Sequence, residues 1–132
     1  MSMTDPISDY LTRVRNAIQA KHNKVDIPAS QILKDLTAIL LEEGYIQNYT
    51  VIEDKKQGIL RLYLKYGEDR KSVIQGLVRV SKPGLRRYMG AKSIPRVLNG
   101  LGIAILTTSK GLRTDKKAKK ENVGGEILCN IW

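Results

Sequence analysis

Three adjacent hydroxyl side chains, Thr107-Thr108-Ser109, are the residues in this sequence best suited to binding chemistry. Each hydroxyl can donate and accept a hydrogen bond, which suits phosphate oxygens, ribose hydroxyls and base edges. Lys110 and Gly111 follow, and a glycine lets a neighbouring backbone come close. The run predicts a hydroxyl-rich loop, which either contacts nucleic acid or, as is more typical of such a run taken alone, forms a turn or a strand end.

Gly124-Gly125-Glu126 is a second candidate for the same chemistry. Paired glycines expose backbone N–H groups, and a carboxylate near a basic surface can accept a hydrogen bond from a base amino group. The alternative is a tight turn that leads into the last strand.

Tyr88 is a third candidate, because basic residues surround it in the sequence. Arg86 and Arg87 precede it and Lys92 follows. A tyrosine ring in such surroundings can stack on an unpaired base while the cations hold phosphates.

The charge of the chain is concentrated in its second half. The formal net charge is +10, and residues 67–132 hold 14 basic and 5 acidic side chains, against 9 and 8 in residues 1–66. Such an asymmetry indicates a polyanionic partner, the alternative being a merely solvated surface. The basic residues that a fold could gather are Arg79, Lys82, Arg86, Arg87, Lys92, Arg96, Lys110, Arg113, Lys116, Lys117, Lys119 and Lys120.

Composition argues against an enzyme, a metal site and a membrane protein. Cys129 and His22 are the only cysteine and histidine, which are too few ligands for a zinc site. A Ser-His-Asp or Cys-His catalytic site would have to use His22, and no motif supports it. No nucleotide-binding glycine motif and no acid/base pair is visible, so we expect no cofactor and no small-molecule substrate. No apolar run approaches the ~18 residues of a membrane span, and no secretory signal is expected. These features predict a cytoplasmic protein.

Hydrophobic patterning predicts a helix-strand-helix-strand-strand unit over residues 1–66. Thr4-Asp5-Pro6 is typical of a helix start, and Ser30 of the cap of a second helix that ends at Gly44. The apolar stripe of the first helix consists of Ile7, Tyr10, Leu11, Val14 and Ile18. Strands are predicted at 25–28, 45–53 and 59–66.

Residues 67–71 are polar and short, and we expect a boundary there. Beyond it the pattern predicts a mainly β subdomain, 67–132, so the whole chain is of the α+β class. Its predicted elements are a strand-like run at 72–81, a turn at 82–84, an extended segment at 85–88, a helix at 94–99 capped by Ser93, a strand at 103–106, a helix at 115–122 capped by Thr114, and a last strand at 126–132.

Several runs together resemble the bacterial small-subunit (30S) ribosomal protein eight family, a universal ribosomal protein family. They are residues 102–112 (GIAILTTSKGL), Thr114-Asp115 with Ala118, 123–129 (VGGEILC), 4–7 (TDPI) with 11–16 (LTRVRN), 42–46 (EEGYI), and 79–86 (RVSKPGLR) with Tyr88. The resemblance is collinear over essentially the whole chain. Arg113 stands where the family usually has an apolar residue, and Thr107 replaces the more usual serine.

This resemblance implies a function in the ribosome. Proteins of the family bind the central domain of 16S rRNA directly, recognise an irregular helix early in assembly, and help organise the platform of the small subunit. They neighbour small-subunit proteins five and twelve, and some of them regulate translation of their own messenger RNA.

The resemblance also implies roles for individual residues. Thr107, Thr108 and Ser109 become the main RNA-reading loop, which Gly124, Gly125 and Glu126 flank and beside which Tyr88 stacks or packs. The face of the first helix that carries Arg13, Arg15, Asn16 and Lys21 would touch a second RNA segment.

Two other classes remain as alternatives. A generic basic RNA- or DNA-binding module without a defined site would show little preference between irregular and regular helices. A protein of anionic membranes would need a basic amphipathic helix, but residues 115–122 offer only Ala118 opposite the lysines.

Overall fold

The computed structural model describes residues 5–132, which form two compact units. One unit comprises Asp9–Gln75, and the other joins residues 5–8 to Gly76–Trp132. Both units contain helix and antiparallel sheet, so the predicted α+β class is confirmed. The division of the chain into subdomains 1–66 and 67–132 stays a prediction.

Helix α1 spans Pro6–Gln19 and begins as its sequence predicts. The Asp5 carboxylate accepts hydrogen bonds from the backbone N–H of Ser8 at 3.2 Å and from its hydroxyl at 2.7 Å, and Pro6 occupies the first helical position. Thr4, the remaining residue of the predicted start, lies outside the described residues. Of the predicted apolar stripe, all but the half-buried Ile18 are buried.

The unit Asp9–Gln75 combines helices with a three-stranded antiparallel sheet of order β1-β3-β2. Leu60, Leu62 and Leu64 alternate along β3 and are buried, as their spacing predicts. Ser30 caps α2, and Gly44 follows it at φ +79°. The elements after α1 are β1 (Lys24–Pro28), α2 (Gln31–Glu42), β2 (Ile46–Ile52), β3 (Ile59–Leu64) and a 3-10 turn at Glu68–Arg70.

The second unit is built on a five-stranded antiparallel sheet of order β4-β8-β6-β7, with the short β5 also paired to β8. Helix α3 covers one face, where Ala118 packs with Ala104, Leu106 and Ile127. Its elements are β4 (Leu77–Arg79), β5 (Tyr88–Met89), β6 (Ile103–Thr108), β7 (Gly111–Thr114), α3 (Asp115–Lys120) and β8 (Gly125–Ile131), with 3-10 turns at Ala91–Ser93 and Leu98–Gly100.

The predicted helix at 94–99 is wrong. Ile94 and Val97 have extended backbones and are buried in the core of this unit. Pro95 disfavours the helical region for the residue before it, and two core contacts three residues apart are then made by an extended segment. A 3-10 turn at Ala91–Ser93 precedes this segment, and a second one at Leu98–Gly100 overlaps the end of the predicted helix.

The predicted strand-like run at 72–81 is too long. Leu77–Arg79 forms strand β4, and backbone hydrogen bonds of Gly76, Val80 and Ser81 continue its pairing along β8, whereas residues 73–75 belong to no strand. Gly76 lies against the indole of Trp132, where a Cβ atom would come within 2.2 Å of the ring. Gly76 and Trp132 exchange two backbone hydrogen bonds of 3.0 and 3.1 Å, so the absence of a Cβ at position 76 lets the indole lie against a paired backbone.

Candidate nucleic-acid interface

The hydroxyl run lies at the tip of the β6–β7 hairpin. Thr107 and Thr108 are the last residues of β6, and Ser109 and Lys110 form a two-residue turn before Gly111 begins β7 at φ +104°. Part of the expected loop therefore belongs to strand β6, because β7 and β8 both pair with β6 up to Thr108.

The three hydroxyls of the tip are not equivalent. The Thr108 hydroxyl donates to the carbonyl of Gly111 at 2.8 Å and accepts from the backbone N–H of Lys110 at 3.1 Å. Those of Thr107 and Ser109 make no hydrogen bond within the described chain. Thr108 therefore holds the turn in shape, while Thr107 and Ser109 keep their donors and acceptors for a ligand.

Strand register brings Thr107, Glu126 and Tyr88 into one row. Thr107 on β6 lies opposite Glu126 on β8, and Glu126 lies opposite Tyr88 on β5. Directly opposed residues of antiparallel strands project from the same face of a sheet. Candidates that are 38 residues apart in sequence are therefore neighbours across three strands.

Arg86 joins this row through Glu126. Its guanidinium donates to Glu126 Oε2 at 2.9 Å, and this contact raises the pKa of Arg86. Glu126 is buried, whereas about half of the Arg86 side chain is exposed. An arginine has five N–H donors, so one carboxylate contact fixes its position and leaves other donors for phosphate or base.

The glycine pair serves close strand packing. A Cβ atom on Gly125 would lie 2.1 Å from the carbonyl oxygen of Thr107, and one on Gly124 would lie 2.3 Å from that of Met89. Gly125 therefore lets β6 approach β8. Gly124 lets the backbone at the end of β5 approach the residue that precedes β8.

Hydrogen bonds within the same segment stabilise the turn that leads to Arg86 and Arg87. Lys82 and Leu85 exchange two backbone hydrogen bonds of 2.9 Å around Pro83-Gly84, which confirms the predicted turn. The buried Ser81 hydroxyl accepts from the backbone N–H of Arg87 at 2.7 Å. Arg87 is exposed.

Arg113, which departs from the family pattern, has a defined partner. Its Nε donates to Glu121 Oε1 at 2.7 Å, and a second guanidinium nitrogen donates to the carbonyl of Leu112 at 2.9 Å. The hydrogen bond from Arg113 lowers the pKa of Glu121. Arg113 thus ties β7 to the end of α3. Thr114 caps this helix as predicted, accepting from the backbone N–H of Lys117 at 3.2 Å.

The remaining candidates lie in the other unit. Arg13 pairs with Asp9 at 2.8 Å one helical turn earlier, and Asn16 is exposed. The Lys21 ammonium donates to the carbonyl of Arg70 at 2.7 Å and lies 5.9 Å from the centre of the Tyr66 ring. Arg15 is half-buried. The candidate residues therefore form two sets, one in each unit.

The part of the chain that the structure describes holds no group of three or more His, Cys, Asp or Glu side chains arranged for a metal ion. Cys129 is buried, and burial raises the pKa of its thiol to about 12, which disfavours the nucleophilic thiolate. Among residues 5–132, no helix has the length and apolar character needed to cross a membrane.

The pairing of Arg86 with Glu126 is the feature that sequence reasoning missed. The two residues are 40 positions apart, and no local pattern links them. The same holds for Ser81, whose hydroxyl is hidden in a run that otherwise indicates only a turn.

Comparison with known proteins identifies the family. The family model for ribosomal protein S8 matches residues 5–132. The chain is 60% identical over 132 residues to small ribosomal subunit protein uS8 of Clostridioides difficile (strain 630) and 61% identical over 132 residues to that of Alkaliphilus metalliredigens (strain QYMF), with full coverage of both chains in each case. It is 60% identical to that of Desulforudis audaxviator (strain MP104C) over 98% of this chain and 99% of the relative. The chain therefore belongs to the ribosomal protein S8 family, as its resemblance predicts, and is a structural, non-enzymatic constituent of the ribosome.

Proposed function

We propose that the chain is a primary rRNA-binding protein of the small ribosomal subunit, located with the ribosome in the cytoplasm. It binds the central domain of 16S rRNA directly, and by fixing one local RNA fold it helps organise assembly of the 30S platform. Its neighbours there are small-subunit proteins five and twelve, and regulation of its own messenger RNA is a further role that the family resemblance suggests.

The observation that carries this proposal is the row of Tyr88, Glu126 and Thr107 across β5, β8 and β6. On one face of the sheet it combines an exposed aromatic ring, an arginine paired with a carboxylate, and a hydroxyl that has no hydrogen-bond partner among residues 5–132. Proteins recognise splayed or irregular RNA by stacking on its bases and by hydrogen bonds to base edges. Regular A-form helices do not expose these groups to side chains.

The same geometry assigns different groups of the RNA to different side chains. Thr107 and Ser109 contact base edges or ribose hydroxyls, while Arg86, Arg87 and Lys110 contact phosphates. In the other unit, Arg13, Arg15, Asn16 and Lys21 contact a second RNA segment. Lys21 does so from a position fixed by the Arg70 carbonyl.

The test is the affinity of Thr107→Val and Ser109→Ala variants for a central-domain rRNA fragment and for a regular duplex, at one salt concentration. Valine keeps the shape of threonine, so only the hydroxyl is removed. We expect each variant to lose about 1–2 kcal/mol of binding to the irregular fragment and little to the duplex.

Thr50→Val, on the exposed strand β2 of the other unit, is the matched control. Unchanged affinity and unchanged discrimination in both Thr107→Val and Ser109→Ala would contradict the assignment and favour a generic basic module.

A further inference from the structure

Asn99-Gly100 is the single Asn-Gly pair of the chain. Because glycine has no side chain, its backbone nitrogen is unhindered and can attack the side-chain amide of the preceding asparagine to form a cyclic imide. Asn99 is exposed, and its side chain makes no hydrogen bond within residues 5–132. The pair therefore combines a sequence and an exposure that favour loss of the amide group.

The backbone of this pair is held in a conformation that prevents the reaction. The imide ring closes only when the Gly100 nitrogen lies on the same side of the Asn99 Cα–C bond as Cβ. Asn99 has φ 58° and ψ 30°, which turns that nitrogen to almost the opposite side of the bond. The Gly100 N–H also donates to the Val97 carbonyl at 3.0 Å, so the proton that must leave is hydrogen-bonded.

Two opposing effects determine how often this turn opens. Leu98 and Asn99 have positive φ angles of 47° and 58°, which are costly for residues with side chains. The Val97 carbonyl accepts a second hydrogen bond, from the backbone N–H of Gly102 at 3.0 Å, and Val97 is buried in the core. Packing and hydrogen bonds therefore keep a strained turn closed, while the strain favours a minor open state.

We propose that Asn99 is a latent deamidation site, which the closed turn protects and which reacts when the segment opens. In the open state the Gly100 nitrogen gives its proton to hydroxide and attacks Cγ of Asn99. The new C–N bond forms as the Cγ–Nδ2 bond breaks, and ammonia leaves with a proton from water. Water then adds to one of the two imide carbonyls and opens the ring to aspartate or isoaspartate. The reaction transfers no electrons and does not depend on RNA binding.

The two products differ in how they fit the structure. Asn99 borders a cleft of about 420 Å³ that is also lined by Arg96, Lys116 and Lys119, and the Asp115 in this lining is only 1% exposed. The carboxylate of an aspartate at position 99 therefore meets mainly cations. Isoaspartate instead lengthens the backbone by one atom, so the hydrogen bonds of the turn cannot all form. We expect the aspartate product to refold and the isoaspartate product not to.

The test compares deamidation of the full-length protein in its native state and unfolded in guanidinium chloride, in the same mildly alkaline buffer. Trypsin releases residues 97–110, whose single asparagine is Asn99, and mass spectrometry measures the replacement of the amide by a carboxyl group. We expect the native rate to be at least about tenfold lower than the unfolded rate, because the reaction requires a minor open state. Equal rates, or an unmodified unfolded chain, would overturn the proposal.

Val97→Ala tests whether the turn itself is the protection, because it removes buried methyl groups that anchor the turn. Val14→Ala, at a buried position of α1 in the other unit, is the matched control. We expect Val97→Ala to raise the native deamidation rate about tenfold and Val14→Ala to leave it near the wild-type value. Equal acceleration by both variants would mean that the reaction follows global unfolding, which contradicts protection by the turn.

Asn99→Gln is the control for the reacting side chain. Glutamine would have to close a six-membered ring, so we expect no mass gain in residues 97–110 of the unfolded variant over the same period. Refolding of the deamidated wild-type protein then tests the fate of the two products. We expect aspartate but not isoaspartate in the folded fraction. Isoaspartate in that fraction at its share of the whole mixture would contradict the effect assigned to the lengthened backbone.

Discussion

The Thr108 hydroxyl is hydrogen-bonded within the β6–β7 hairpin, whereas the hydroxyls of Thr107 and Ser109 make no hydrogen bond in the described chain. Residues of the same chemical type thus divide between holding the turn and meeting a ligand. The division depends on which side of the strand each residue faces, since Thr107 lies in the row with Glu126. Sequence alone treats the three as one motif.

Thr108→Val is expected to destabilise the protein by about 1 kcal/mol, because it removes a hydroxyl that both donates and accepts in the turn. Thermal unfolding measures the difference, with Thr107→Val as the control that leaves stability within about 0.5 kcal/mol of wild type. Equal melting temperatures for the two variants would argue against a structural role for Thr108.

Asp5 predicts a pH-dependent contribution to stability. Burial opposes ionisation of this carboxyl, but hydrogen bonds from Ser8 and Arg79 outweigh it, and the pKa of Asp5 is lowered. The Arg79–Asp5 pair, at 3.1 Å and largely buried, is thus fully stabilising above the unfolded pKa of about 3.9 and is lost as pH falls through the lower folded pKa.

Asp5→Asn is therefore expected to cost about 1–3 kcal/mol at pH 7, with a difference from wild type that shrinks below about pH 4. Denaturant unfolding at pH 7 and pH 3 measures both values. A difference that is the same at both pH values would show that Asp5 stabilises the fold only through neutral hydrogen bonding.

At the scale of elements, the sheet of the Gly76–Trp132 unit depends on glycine where strands approach most closely. Gly125→Ala places a methyl group against the backbone of Thr107, which cannot move without separating β6 from β8. We expect a loss of about 2–4 kcal/mol, measured by denaturant unfolding.

Gly84→Ala provides the comparison, because nothing lies within 4 Å of its added methyl group. It is expected to stay within about 0.5 kcal/mol of wild type. Similar losses for both variants would mean that chain flexibility, not strand approach, explains the glycine at 125.

Local signals predict the elements whose boundaries are set locally. The Ser30 cap, the Gly44 terminus, the Pro83-Gly84 turn and the Thr114 cap are each confirmed, because turn and cap chemistry acts within four residues. The predicted helix at 94–99 fails because Pro95 disfavours a helical backbone at Ile94, and Ile94 and Val97 reach the core from an extended segment.

The candidate site is predictable in composition but not in arrangement. Hydroxyls, glycines and Tyr88 stand out by type, and the family resemblance assigns them a common role. Their alignment depends on β8 pairing with both β5 and β6, and the Arg86–Glu126 pair joins residues 40 positions apart. Long-range register of this kind leaves no trace in a single sequence.

At the scale of the whole molecule, charge is distributed unevenly between the two units. Asp9–Gln75 carries a net charge of only +2, and the other described residues carry the remaining +8 of the total of +10. Association with RNA is therefore expected to be driven electrostatically by one unit, while affinity for irregular RNA depends on uncharged groups within that unit.

Lys110→Ala isolates the electrostatic part of binding. Lys110 is exposed at the hairpin tip, and the Thr108 hydroxyl accepts from its backbone N–H, so the substitution leaves the turn intact. We expect affinity for irregular and regular RNA to fall by a similar factor, and the slope of log K against log salt to become shallower by about 1. Lys56→Ala, in the β2–β3 connection, should leave the slope unchanged. If Lys110→Ala instead weakened binding to the irregular fragment only, Lys110 would be a residue that contacts bases. The same side chain would then contribute both electrostatic attraction and specificity for irregular RNA.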